Sequence, residues 1–424
     1  MTIRDNVVRR CINVRGLDTP SGQAHIQQVP VYYEEYRTSD QADKTAVIFP
    51  FFLGSAHAAG QQSLDAKGQV IETRPGYWDA LIGPGAAIDT NEYRVISFEP
   101  ILNPNFHPGL INPATGKRYA SSFPGYKIAD YVQLYNRALS ALGVDHANLV
   151  AGASMGSIQA IQMALSDPDG FDQLLLVVPG SLSLGDKATA LVSGWVKQLE
   201  SDPDWNNGDY DPASPPKAAL GDVLTDFWFR AIYPQSGLLG WDPQAIDEFN
   251  ETISAMMAGS DDELPIKRLG ADYVSHLQEE LKRNGKLCSA ASKAFDGYLK
   301  QRAALTAAVD HNILLWQLRS LLDFTVDLAG ITYIDAPAVA LEGKSMLALV
   351  APMDDVLSAD RVDSLELVFR LFGGSARVEA PFGSAAHRVG LNAATSKDAM
   401  ARQADGLIRG FLRNPGAGKV PAKL

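Results

Sequence analysis

Two cysteines in 424 residues, Cys11 and Cys288, give neither a disulfide framework nor a metal-ligand spacing. Such sparse cysteine fits a reducing compartment. Basic excess is also missing: 37 Lys and Arg stand against 49 Asp and Glu, for a formal net charge of -12. The acidic charge is spread along the chain, and no basic face is expected for a nucleic acid. No stretch approaches the roughly 18 consecutive apolar residues that a membrane-spanning helix requires. The first residues, MTIRDNVVRRCINVRGL, carry charges throughout and lack the apolar centre of a secretory leader. A cytoplasmic protein with no membrane partner is therefore expected. No internal repeat or low-complexity tract is present. The seven histidines show no metal-ligand spacing, and the glycine strings GPGAA and FGGS lack that of a phosphate loop.

What is present is a series of short apolar, β-branched runs. Thr45–Phe49, Tyr93–Phe98, Asn148–Ala151, Leu174–Val178 and Met346–Val350 lack the alternation of half-exposed strands. They read as parallel strands covered on both faces. Ala376–Ala380 reads as one more strand. Ile128–Leu142 has apolar residues at helical spacing and stops before Gly143, and Ile158–Leu165 is a second helix. Alternating strands and helices predict an α/β fold with a mostly parallel central sheet and helices on both faces. From about Ser181 to about Phe324 the pattern changes to helices and Pro-, Gly- and Asp-rich loops, with Asp262–Leu281 and Asp296–Leu322 as helical stretches. The expected organisation is a core over 1–180, a helical cap inserted over 181–325, and the rest of the core over 326–424.

Gly152-Ala153-Ser154-Met155-Gly156 matches G-x-S-x-G, between an apolar strand and a helix. A tight strand-to-helix turn crowds positions two either side of the serine, and glycine removes that collision. The turn presents the Ser154 hydroxyl at a helix N-terminus, where free N–H groups stabilise negative charge. A serine needs an adjacent base. Only His387 follows both the elbow and the late strand, in the loop PFGSAAHRVGL. The acid is expected just past Met346–Val350, where Asp354 and Asp355 both qualify. Oxyanion donors are expected from the N–H of Met155 and from Phe52, in the turn after Thr45–Phe49.

Several longer segments resemble the homoserine O-acetyltransferase family of the α/β-hydrolase superfamily. They are PGYWDALIGPGAAIDT, INPATGKRYASSFPGY, GASMG, SDPDWNNGDY, DHNILLWQLRSLLDF and DDVL. The resemblance implies an α/β-hydrolase fold with an inserted helical cap. It implies ping-pong acyl transfer from acetyl-CoA or another acyl-CoA through an acyl-serine, a homodimer built through the cap, and no metal. Its S-D-x-L acid loop places the catalytic acid at Asp355. Departures bear on the acceptor. The family's His-Ala-Leu-Thr-Gly turn is here Pro50-Phe51-Phe52-Leu53-Gly54, with Phe52 at the leucine whose N–H serves the oxyanion. Arg388 stands where the family has an aspartate that binds the homoserine amino group, and a cation there repels an ammonium. The family's carboxylate-binding arginine falls near Val196–Lys197, where no arginine is present. The expected function is O-acyl transfer to a small-molecule acceptor other than homoserine. The alternative is a serine esterase, thioesterase or amidase with water as acceptor.

Overall fold

The apolar runs lie side by side in one eight-stranded sheet in the computed structural model of the chain. The structure describes residues 6–17, 28–103, 111–112, 115–120, 123, 125–211, 214–232, 309–328, 332, 337–352, 354, 356–357, 361–382, 387 and 399–414. The sheet is built, in chain order, from β1 (Arg10–Arg15), β2 (Gln28–Tyr36), β3 (Lys44–Phe49), β4 (Tyr93–Phe98), β5 (Ala147–Ala153), β6 (Phe171–Val177), β7 (Ser345–Leu349) and β8 (Ser375–Glu379). Across the sheet the order is β8-β7-β6-β5-β3-β4-β2-β1. Only β2 runs against its neighbours β1 and β4; the remaining pairs are parallel.

Both faces of the inner strands are covered, which is why their sequences are apolar at consecutive positions. In β3, Val47 and Phe49 point into one core, and Ala46 and Ile48 into the other. The first core receives α1 (Ile128–Ala141) and α2 (Met155–Ser166). Helix α1 buries Tyr131, Leu134, Tyr135 and Ala138 on one side. It begins with the Lys127 N–H donating to Asp130 Oδ2 at 2.8 Å and ends at Gly143, whose φ of 71° suits glycine.

The chain runs from β3 to β4 on one side, then returns past β3 to β5 on the other. The carboxyl ends of β3 and β5 thus form the switch point at which open α/β sheets hold ligands. Between β6 and β7 the described residues form helices: α3 (Asp186–Glu200), α4 (Ala218–Ile232) and α5 (His311–Leu322). The chain entering and leaving this segment meets at an antiparallel bridge between Ser183 and Thr325, and the Val326 N–H donates to Leu182 O at 2.8 Å. Asp262–Leu281 and the part of Asp296–Leu322 before Val309 lie outside the described residues. The loop SDPDWNNGDY and the start of α5 pack together. Trp205 Nε1 donates to Asn312 Oδ1 at 2.8 Å, Asn312 Nδ2 to Gly208 O at 2.9 Å, and His311 Nε2 to Leu199 O at 3.0 Å. Helices α6 (Val362–Leu371) and α7 (Ala399–Arg413) complete the two layers. No helix among the described residues is long and apolar enough to cross a membrane.

Candidate active site

Ser154 adopts φ 53° and ψ -119°, a backbone state that costs a non-glycine residue on the order of 1–3 kcal/mol. The strain is held from both sides. Ser154 N–H donates to Val177 O at 3.0 Å, and Ser157 Oγ donates to Ser154 O at 2.5 Å while accepting from Gly180 N at 3.0 Å. The flanking glycines are obligatory. A Cβ on Gly152 would lie 2.1 Å from Gly156 O, and one on Gly156 would lie 2.1 Å from Phe49 O. The second contact shows that the first turn of α2 sits directly on the end of β3. Met155 opens α2, so its N–H has no acceptor within the helix.

His387 is fully buried, beyond the carboxyl end of β8. Its Nε2 lies 2.7 Å from Ser154 Oγ, and its Nδ1 lies 2.5 Å from Asp354 Oδ2. A carboxylate oxygen accepts, so Nδ1 carries the proton and Nε2 is left to accept from the serine hydroxyl. Asp354, buried past the end of β7, is fixed by its own turn. Its N–H donates to Ala351 O at 3.0 Å, and its Oδ1 accepts from Val356 N at 2.8 Å and Leu357 N at 2.9 Å. This corrects the expectation of Asp355: the carboxylate that reaches His387 is Asp354. The physical reason is the Asx turn, which spends one carboxylate oxygen on the backbone and aims the other at the imidazole. Asp355 and Arg388 lie outside the described residues.

Phe52 stands in the turn that follows β3. The Gly54 N–H closes this turn onto Phe51 O at 2.8 Å, and Leu53 takes a positive φ of 62°. Phe52, Ser154 and Met155 all line one pocket. Among the described residues every lining side chain except that of Ser154 is apolar. The walls come from the core and from the helical segment together: Trp195 of α3, Phe227 of α4, Leu318 of α5 and Leu357 of the acid loop. The Phe227 ring lies edge-on to Phe52 at 4.9 Å and to Trp195 at 5.9 Å. Sequence reasoning did not name these wall residues. Their signal is present in α3, whose buried Ala188, Val192, Trp195 and Leu199 fall at helical spacing. A larger cavity, lined by Asn136, His146 and Asp167, opens at the amino ends of the strands, away from Ser154. No cluster of metal-ligating side chains occurs among the described residues.

The family model for the alpha/beta hydrolase fold matches residues 74–222, which include the elbow. A homoserine O-acetyltransferase of Deferribacter desulfuricans is 32% identical over 198 residues, covering 46% of this chain and 51% of that protein. A homoserine O-succinyltransferase of Magnetococcus marinus is 35% identical over 233 residues, covering 52% and 57%. The chain thus spans about half the length of these curated relatives. Among solved structures, esterase E22 matches with a TM-score of 0.70 at 26% identity, covering 96% of this chain and 100% of that one.

Proposed function

Because the chain belongs to the α/β-hydrolase superfamily as a relative of the homoserine O-acyltransferases, we propose that it transfers an acyl group through an acyl-enzyme on Ser154. The observation that carries this reading is the hydrogen-bonded line from Asp354 through His387 to Ser154 Oγ, set in a strained elbow. Ser154 Oγ attacks the acyl carbonyl carbon while His387 Nε2 takes the hydroxyl proton. The N–H groups of Phe52 and Met155 receive the negative oxygen, each donor contributing about 2.7–4 kcal/mol in comparable sites. Collapse expels the donor's thiolate or alkoxide, which leaves with the proton held by His387. His387 then deprotonates the acceptor hydroxyl, which attacks the acyl-serine carbonyl and regenerates Ser154. Asp354 holds the imidazole in the required tautomer and stabilises the imidazolium.

The donor in this reading is acetyl-CoA or another acyl-CoA, and the acceptor is an alcohol other than homoserine. The apolar walls support the second point. Homoserine brings an ammonium and a carboxylate, and burying either without a partner is costly. Trp195 and Val192 face the pocket from the helix that would carry a carboxylate-binding arginine, and no described lining residue is charged.

A second reading, with water as acceptor, is favoured by the full-length likeness to esterase E22. One experiment separates the two. The purified protein is mixed with acetyl-CoA without acceptor, and free thiol and intact mass are followed. A stable acetyl adduct on Ser154 that clears when an alcohol is added is the expected result. Steady thiol release without alcohol establishes the hydrolase instead. No acylation of Ser154 by acetyl-CoA, longer acyl-CoAs or simple esters overturns both.

A further inference from the structure

The turn that carries Phe52 continues into Gly54–Gly60, which has no strand partner yet is almost wholly buried. Its backbone polar groups must be satisfied by something else. The backbone N–H groups of Gly76, Tyr77 and Trp78 take Gly60 O, His57 O and Ala58 O at 2.9, 3.2 and 2.9 Å, and buried side chains take much of the rest. The Ala56 N–H donates to Glu99 Oε2 at 2.8 Å, and Asn103 Nδ2 donates both to Gly54 O at 3.2 Å and to Glu99 Oε1. Tyr36 Oη, whose proton goes to Glu34 Oε2 at 2.6 Å, accepts from the Ala58 N–H at 2.8 Å. Ser55 Oγ donates to Glu72 Oε2 at 2.8 Å and accepts from the His57 N–H at 3.3 Å.

These groups form one ionic cluster around Arg9, whose guanidinium faces Glu34, Glu72 and Glu99 at 3.5, 3.0 and 3.2 Å. Glu99 and Glu34 are no more than 1% exposed. Three carboxylates share the one buried guanidinium, with Arg74 reaching Glu72 from the exposed side at 2.7 Å, an expensive arrangement that packed apolar residues would match or better in stability. Its geometry gives a reason for keeping it. Glu99 and Asn103 hold Gly54 and Ala56, the residues immediately beyond the strained Leu53, and so hold the turn that presents the Phe52 N–H.

We infer that Glu99 is a positioning residue, whose ionised carboxylate and Asn103 together keep the oxyanion turn after β3 in its working shape. This rests on the proposed acyl-serine chemistry. Ionisation matters because both Glu99 oxygens accept hydrogen bonds, and a proton on either displaces a donor. Burial pushes the Glu99 carboxyl up to about 7, against the pull of Arg9 and the Ala56 N–H, with Glu72 and Glu34 adding to the rise. The other groups facing it are Tyr32, Tyr77 and Tyr135, with His57 beyond Glu34. The turn therefore loosens as pH falls through neutrality.

The test uses p-nitrophenyl acetate as substrate and phenylboronic acid, which forms a tetrahedral serine adduct, as inhibitor. Wild type, Ser154→Ala, Glu99→Gln and Asn103→Ala are compared from about pH 5 to about pH 9, with circular dichroism on each. Glu99→Gln is expected to lower kcat about tenfold or more at the alkaline end while KM stays within twofold, and to weaken boronate binding by a similar factor. The acid limb of log kcat is expected to be steeper in wild type than in Glu99→Gln. Asn103→Ala lowers kcat and boronate affinity while keeping the steep limb. Unchanged boronate affinity in a folded Glu99→Gln overturns the proposal. If that variant does not fold, unchanged affinity in Asn103→Ala does so. A wild-type acid limb no steeper than that of a folded Glu99→Gln overturns it as well. Equal turnover by wild type and Ser154→Ala sinks the acyl-serine reading itself, a result distinct from all of these.

Discussion

Among the described residues the molecule holds two buried carboxylate–histidine pairs, and their surroundings differ. His387 Nδ1 meets Asp354 at 2.5 Å, and His57 Nδ1 meets Glu34 at 2.9 Å. Both imidazoles are almost inaccessible to solvent. The difference lies at the far nitrogen. His387 Nε2 faces Ser154 Oγ at 2.7 Å beside an apolar pocket, whereas His57 Nε2 has no partner among the described residues. Glu34 is also crowded by other donors: Tyr36 Oη at 2.6 Å, Ser63 Oγ, and Arg9. Asp354 spends its second oxygen on two backbone N–H groups of its own turn. Burial and a carboxylate partner are common to both histidines; what sets the proposed base apart is a hydroxyl at its second nitrogen, with space in front of it.

Substitutions can break this comparison at either end. Ser154→Ala or His387→Ala should lower kcat by about 10⁴-fold or more with little change in thermal midpoint, because each removes a reacting group and leaves the sheet intact. Steady-state kinetics with paired melting curves check this, and retained turnover in either variant removes the distinction. Asp354→Asn should cost about 10³–10⁴-fold in kcat by disturbing the His387 tautomer, while Asp355→Asn should cost less than about tenfold. The reverse order in the same assay would return the acid to Asp355. His57→Ala should act on stability, by about 1–3 kcal/mol in urea unfolding, since it removes a hydrogen-bond partner from the buried Glu34 carboxylate. The kcat of its folded fraction should stay within about tenfold of wild type, and a collapse of kcat without loss of stability would make the two pairs equivalent.

The smallest effect concerns pH. Glu99 holds its proton more tightly in the folded chain, near 7, than in an unfolded chain, where a glutamate titrates near 4.3. The folded state thus binds more protons between these values, and the contribution of Glu99 to stability rises as pH falls through that window. Relative to Glu99→Gln, wild type should gain up to about 3 kcal/mol between about pH 8 and about pH 4.5. Urea midpoints of both proteins at the two ends measure the gain. A constant difference would mean that Glu99 titrates as an ordinary carboxylate. Activity and stability are therefore expected to move in opposite directions with acid.

The elements that could be read from sequence are those whose local pattern and tertiary role agree. β3, β5, β6 and β7 are apolar at successive positions because both faces are covered, and the elbow announces itself through glycines that backbone contact makes obligatory. β1 and β2 were not legible. RCINVR and QVPVYYEEY mix charged, polar and proline residues, and β2 carries Glu34 into the interior. Such a strand looks like a surface segment until Arg9, Tyr36 and Ser63 are seen around the carboxylate. Glu99 was hidden for the same reason. His57 had a faint signal, since GSAHAAG surrounds it with residues too small to cover it unless the chain is buried. The choice between Asp354 and Asp355 depended on which carboxylate its turn turns inward, and periodicity carries no such information.

The bridge between Ser183 and Thr325 has a consequence for how the molecule can change. It joins the chain where it leaves the core and where it returns, so the ends of everything between are already held together. The entropy of closing such a segment grows only with the logarithm of its length, about 0.6 kcal/mol for each doubling. The helices that wall the pocket can therefore be lengthened, trimmed or exchanged at little cost to the sheet. Selectivity is free to drift there while the machinery at the strand ends stays fixed.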